Sequence, residues 1–246
     1  MAAPLHRPPT NDVLASRAKV AVVVPATNTI VQPEFEAMRP PGVTNHVTRM
    51  YLPPRPYDDM ETYRCALDTE EGNLDLALNL VLPCEPHVVA HGHSIHSFRG
   101  DRARAYAEQK KLEDYCGVPF VTPSIAVLKG LEAIGNPRRI AVLTPYWPPA
   151  DTLIAEFFTA CGYEVVHTLG LKATGPTAVA RITLDEIRAG CRVPGARSQR
   201  RPGLDPRGDQ PAGVGHHRRD RGGAWQALDR GECGDLLASL AAGRYS

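Results

Sequence analysis

The sequence predicts an α/β fold built as two similar lobes, each a parallel sheet covered by helices. Three observations predict it. Runs such as AKVAVVVP (18–25) and RRIAVLTP (138–145) are β-branched and continuously apolar, as strands buried on both faces are. Amphipathic stretches alternate with these runs in βαβα order over short connections. The strand-then-helix order that begins at residue 18 begins again near Arg138.

The elements follow in order. After the first strand, VTNHVTRMYL (43–52) reads as a second strand. Residues 60–82 have helical spacing, with Gly72 as a candidate break. HVVAHGHS (87–94) is a third buried strand running into a polar end. Residues 102–117 form an amphipathic helix closed by Gly117. VPFVT (118–122) is a short strand, and 123–135 a helix with Pro at its start and Gly at its end. In the second lobe, 138–145 is a strand, 149–162 a helix, 163–171 a strand, and a further helix begins over 176–190. The expected domains are a disordered tail over 1–17, an N-terminal lobe over 18–122, the start of a C-terminal lobe over 123–190, and an anomalous tail over 191–246.

Composition narrows the function classes. In 246 residues, 43% are hydrophobic and 22% charged, as in a soluble globular chain with a sizeable core. A net charge of +1 gives no whole-chain case for nucleic acid or an anionic membrane. No apolar run approaches the roughly 20 residues of a membrane span. MAAPLHRPPTNDVLASR lacks the apolar stretch of a signal peptide, so the expected location is the cytoplasm. The cysteines, Cys65, Cys84, Cys116, Cys161, Cys191 and Cys233, form no CxxC pair and read as reduced thiols, mostly in the core.

In open parallel sheets, ligands bind beyond the carboxyl ends of the strands. Here those ends carry PATNT, GHSIHS and TPYWP, rich in hydroxyls, amides and imidazoles. Asn28 and Thr29 are candidates for binding a carboxylate, or form an Asx-type turn. Gly92, His93 and Ser94 form a candidate anion cradle, or a tight turn with a structural glycine. His93 is a candidate proton donor, because imidazole titrates near neutrality. Tyr146 offers a hydroxyl, or packs as an aromatic wedge. His91, His93 and His96 form HxHxxH, and a metal-dependent hydrolase built on them is an alternative; no carboxylate or distant Cys/His set completes a recognised metal pattern, and none is expected.

These loops resemble a known family. VPATNTIVQPEF (24–35) resembles the first loop of maleate cis-trans isomerases, V-P-x-x-N-T followed by a Pro-Glu pair. GHSIHSFRG (92–100) resembles the matching loop of arylmalonate decarboxylase, G-T-S-L-S-F-Y-R-G. Residues 121–146 resemble both groups in length and pattern. Both groups belong to the aspartate/glutamate racemase superfamily. The resemblance implies two pseudo-symmetric flavodoxin-like lobes with a site between them, no cofactor and no metal. It implies a small carboxylate substrate, with no nucleic-acid or membrane partner; a homo-oligomer stays open. The family places one cysteine in each lobe, and the first falls at Gly92, as in the decarboxylase. The next position, Thr in the family, is His93. The implied activity is an arylmalonate-decarboxylase-like carboxy-lyase in which Ser94, Tyr146 and loop amides form an oxyanion hole. Alternatives are maleate cis-trans isomerisation, an Asp/Glu-type racemase, or an inactive remnant.

The second cysteine is expected where RRPGLDPRGDQPAGVGHHRRDRGGAW (200–225) stands. Read one base out of frame, DQPAGV (209–214) permits T-N-L-P-V, and Trp225-Gln226 become Gly followed by Lys or Arg. DRGECGDLLA (229–238) permits I-A-V-N-A-A-T-Y-W-H, the family's C-terminal signature. No Ile follows Ile187 and no Lys follows Lys172. The expectation is a frameshift entering near residues 189–204; a natural disordered basic tail is the alternative. The codons at Gly208 and Asp209 do not permit a shifted Cys, so the restored frame also lacks the second thiol.

Overall fold

The computed structural model describes residues 9–51, 60–93, 95–146 and 148–192. Ser94, Trp147, Cys233 and the tail from residue 193 onward lie outside the described residues.

The N-terminal lobe is a four-stranded sheet in the order β2-β1-β3-β4, every pair parallel. Its strands are β1 (Ala18–Pro25), β2 (Val43–Met50), β3 (Val88–His91) and β4 (Phe120–Val121). Strand β1 is central, and Val22, Val23 and Val24 are fully buried, which is why this run is apolar without alternation.

Between β1 and β2 stands a helix that periodicity does not predict, α1 (Val31–Met38). It is only eight residues long and buries none of them, so its Val31, Phe35 and Met38 stripe spans too few turns to read as a period. Pro33 is tolerated in its first turn, where backbone N–H groups have no intrahelical acceptor. Helix α2 (Met60–Val81) runs through Gly72 without a break, contrary to the expected interruption. A Cβ at Gly72 would meet nothing, so the glycine marks an open flank of the helix. Helix α3 (Arg102–Cys116) starts at Asp101, whose carboxylate accepts from Arg104 N–H at 2.9 Å. It stops at Gly117, in the left-handed region at φ 67°, whose N–H returns to the Glu113 carbonyl.

The second lobe opens with α4 (Pro123–Ala133) and continues through β5 (Arg139–Thr144), α5 (Pro148–Ala160) and β6 (Glu164–Gly170). Strands β5 and β6 pair in parallel and form a two-stranded sheet among the described residues. The helix expected over 176–190 is instead a 3-10 turn at Val179–Arg181 followed by α6 (Leu184–Gly190). The reason is a capping box: the Thr183 hydroxyl accepts from Glu186 N–H, and Glu186 Oε2 accepts from Thr183 N–H, which restarts the helix at Leu184.

The tail expected over 1–17 gives way to packed chain before Ala18. Asp12 accepts from the Leu14 and Ala15 N–H groups, Ala15 is fully buried, and Arg17 N–H donates to the Gly42 carbonyl.

Two hydrophobic cores lie among the described residues. One lies under the first sheet, where Leu74, Ala77, Leu78 and Val81 of α2 and Leu112 and Cys116 of α3 pack with Val23, Val89 and Phe120. The other joins the lobes. Phe98, from the loop after β3, packs against Phe157 and Phe158 of α5 with ring centroids 5.2 and 5.7 Å away. Ile95, Ala105, Ile125, Leu128, Tyr146 and Ile154 complete that cluster. Among the described residues no helix is long and apolar enough to cross a membrane.

Candidate functional site

The carboxyl ends of β1 and β3 bring two predicted loops together. After Pro25 the chain turns so that Asn28 N–H meets the Pro25 carbonyl at 2.9 Å. Asn28 Oδ1 then accepts from Ile30 N–H at 3.0 Å and Val31 N–H at 2.9 Å. This is the Asx-type turn foreseen as the alternative reading, and it caps the entry to α1. Because Oδ1 is consumed, the Nδ2 amine is the group of Asn28 left to meet a ligand. Thr29 is exposed. Arg49, at the end of β2, holds this loop from outside: its guanidinium donates to the Asn28 carbonyl at 2.8 Å and to Gln32 Oε1 at 3.3 Å.

Sequence reasoning missed Thr27. Its hydroxyl is buried without a hydrogen-bond partner among the described residues, although the side chain sits in the same PATNT stretch. An unsatisfied buried hydroxyl costs free energy, and its position beside Asn28 was the available signal.

Gly92 lies against the first loop. Its N–H donates to the Val23 carbonyl at 2.7 Å. A Cβ at this position would lie 2.7 Å from Val31 Cγ1, 3.0 Å from Val24 Cγ1 and 3.2 Å from the Val23 carbonyl oxygen. Glycine is thus required by close approach. His93 follows, half-buried, its ring 6.3 Å from that of His91 at 73°. His91 ends β3 and is buried against Phe120. Beyond position 94, Ser97 Oγ accepts from the Ser124 N–H at the start of α4. Among the described residues no group of three or more His, Cys, Asp or Glu side chains is placed to hold a metal ion.

Tyr146 comes from the other lobe, beyond β5. It is buried and belongs to the same apolar cluster as Ile95, which stands two residues after His93. Its backbone N–H donates to Thr144 Oγ1 at 3.0 Å, and its carbonyl accepts from Lys172 N–H at 2.7 Å. Asn28, Gly92 and His93 therefore stand on one lobe, and Tyr146 on the other beside the segment that continues from them. A separate open groove of about 530 Å³, lined by Phe98, Arg99, Arg104, Leu153 and Glu156 among others, contains none of the predicted residues.

The sequence model of the arylmalonate decarboxylase family matches residues 71–204, more than half of the chain. The chain belongs to the arylmalonate decarboxylase family. Two curated relatives extend the comparison. Maleate isomerase of Geobacillus stearothermophilus is 22% identical over 181 residues, covering 68% of this chain and 69% of that protein. Maleate isomerase of Pseudomonas putida is 25% identical over 175 residues, covering 66% and 67%. Among solved structures, a cysteine-to-serine mutant of Nocardia farcinica maleate cis-trans isomerase, with a covalently bound succinylcysteine intermediate, superposes with a TM-score of 0.62 at 18% identity over 71% of each chain. A double mutant of arylmalonate decarboxylase in its liganded form gives 0.58 at 23% identity over 72% of this chain and 74% of that one. These likenesses establish the two-lobed flavodoxin-like fold. This arylmalonate decarboxylase family member is thus similar to both of the groups that its loops resemble, arylmalonate decarboxylase and maleate isomerase.

Proposed function

We propose that this family member is a cofactor-independent carboxy-lyase acting on a small malonate-type acid. The observation that carries the reading is the packing at Gly92. A thiol nucleophile at this position would need space that Val31 and Val24 already fill. Lyase chemistry needs no thiol there. The bond between the α-carbon and one carboxylate breaks, CO₂ leaves, and the electron pair stays on the α-carbon, delocalised into the remaining carboxylate as an enediolate. Ser94, the Tyr146 hydroxyl and loop amides are the proposed donors to the enediolate oxygens. One such donor is worth roughly 3–4 kcal/mol in kcat. The Gly92 N–H is engaged by Val23 and the Tyr146 N–H by Thr144, which favours side-chain hydroxyls as donors. His93 delivers the proton to carbon in this reading. Asn28 Nδ2 and the Thr27 hydroxyl, both without a partner among the described residues, suit a carboxylate oxygen.

The second reading is maleate cis-trans isomerisation. The relatives named maleate isomerase and the V-P-x-x-N-T loop favour it.

A frameshift near residues 189–204 belongs to the same proposal. In its support, the family match stops at residue 204, and β5 has β6 as its one sheet neighbour among the described residues. The test assays the chain as given and its frame-restored counterpart against disubstituted malonates and maleate. Release of CO₂ is the expected result. Fumarate from maleate without CO₂ establishes the isomerase instead, and turnover of neither by the restored chain refutes both.

A further inference from the structure

Thr144, Asp151 and Gly170 meet the backbone of Tyr146 at one point of the second lobe, and the proposed chemistry gives none of these three a role. Asp151 lies in the first turn of α5 and is only 8% exposed. None of the ion pairs among the described residues includes it. A buried carboxylate without a counter-charge costs stability, offset here in part by the N-terminal end of the helix dipole. Its Oδ1 takes a hydrogen bond from the Thr144 hydroxyl. The Thr144 hydroxyl is the donor in this bond and Asp151 Oδ1 the acceptor. The Thr144 proton is thereby turned toward Asp151, and a lone pair of the same oxygen is left facing the Tyr146 N–H, 3.0 Å away.

The other side of Tyr146 is closed as well. Lys172 N–H donates to its carbonyl at 2.7 Å, and Lys172 adopts φ 58°, a left-handed conformation that a non-glycine residue holds at a cost. Gly170 leaves the space in which these groups meet. A Cβ there would lie 2.1 Å from Asp151 Oδ2 and 2.6 Å from the Tyr146 carbonyl oxygen. Both peptide groups flanking the Tyr146 Cα are therefore held, which fixes the direction in which its side chain leaves the backbone.

We infer that Asp151, acting through the Thr144 hydroxyl, is a positioning residue that sets where Tyr146 presents its phenol. This inference rests on Tyr146 being a donor in the proposed reaction, but its geometry is testable without turnover. The full chain is labelled with 3-fluorotyrosine, and the Tyr146 fluorine resonance is assigned by its loss in Tyr146→Phe. Thr144→Val keeps the shape and removes both hydrogen bonds, so the Tyr146 resonance shifts or splits. Asp151→Ala does the same. Thr144→Ser and Asp151→Asn, which keep a donor and an acceptor in place, retain the parent signal. A folded Thr144→Val protein whose Tyr146 signal matches the parent overturns the inference; because this variant is isosteric, it serves even if Asp151→Ala does not fold.

In an active enzyme, Thr144→Val lowers kcat/KM by about a hundredfold, the scale of a misplacement near 1 Å. That loss vanishes in a Tyr146→Phe background, whereas a general loss of stability would persist there and overturn the inference. If the fluorine pattern appears and no substrate is turned over, the lyase reading falls and the positioning role stands.

Discussion

Val31 Cγ1 occupies the place a side chain at Gly92 would need, 2.7 Å from the ideal Cβ. The contact crosses from the first turn of α1 to the end of β3, so it couples the two loops of the N-terminal lobe. Overpacking of this kind costs about 1–3 kcal/mol. Gly92→Cys is expected to lower the melting temperature, and Val31→Ala combined with it to recover most of the loss. Thermal melts of the two single variants and the double variant check this. Additive losses in the double variant would show that Val31 is not the obstacle.

Asn28 divides its side chain between two tasks. Oδ1 caps the loop through Ile30 and Val31, and Nδ2 is offered to the ligand. Asn28→Asp keeps the acceptor and loses the amine, so stability holds while carboxylate binding weakens through both a lost donor and charge repulsion. Asn28→Ala loses the cap too, at about 1 kcal/mol. Chemical denaturation alongside malonate titration separates the effects; equal binding by wild type and Asn28→Asp would remove Nδ2 from the site.

Glu132 ties α4 to α3. The Arg102 guanidinium beside it, at 2.6 Å, and Lys129 on its other side hold its carboxyl below the usual carboxylate range. A depressed carboxylate adds stability above its unfolded value and loses it as pH falls through the folded one. Both partners are about a third exposed, 34% for Arg102 and 35% for Glu132, so solvent screening limits the contribution to about 1 kcal/mol or less. Glu132→Gln should therefore be less stable than the parent at pH 7, with the gap closing below about pH 4. Urea unfolding at both values gives the answer; a gap that widens in acid would contradict the assignment.

Cys116 faces the core beneath the first sheet, 3% exposed. Burial, with the Asp75 charge adding to it, pushes its thiol up to about 12. The raised value favours the protonated folded state. Its contribution is whole below the ordinary value of 9.0 and is lost as pH rises toward about 12. Iodoacetamide at pH 8 should modify the exposed Cys65 and Cys191 and leave Cys116 untouched until denaturant is added. Mass spectrometry of the native digest reads this directly, and early alkylation of Cys116 would show that the core opens.

Much of the fold was legible because its signals are local. Val22, Val23 and Val24 announce a strand buried on both faces, and Asp101 and Gly117 bracket α3 through bonds spanning a few residues. The Thr183 to Glu186 box was equally local, and a helix drawn over 176–190 passed over it. Helix α1 escaped because eight residues are too few for its Val31, Phe35 and Met38 stripe to read as a period, and Pro33 stands among them. At the site, PATNT and GHSIHS marked the right strand ends, but residue types alone did not divide the work inside them. The spacing did not distinguish the unsatisfied Thr27 hydroxyl from Thr29, nor single out Asp151, five residues beyond Tyr146, as the group whose carboxylate reaches back under it.

By itself the sequence determined the α/β class, the order of the strands and of the helices other than α1, the family resemblance carried by three loops, and the glycine where that resemblance expects a thiol. Those properties follow from backbone preference and burial pattern, which act over one turn or one strand. Only the tertiary structure decided that Val31 and Val24 close the space beside Gly92, that Phe98 seats one lobe on α5 of the other, and that Thr144 links Asp151 to Tyr146. Each of these depends on side-chain direction and close packing between segments brought together by folding, and a contact at 3 Å is set by that meeting of surfaces rather than by either segment alone.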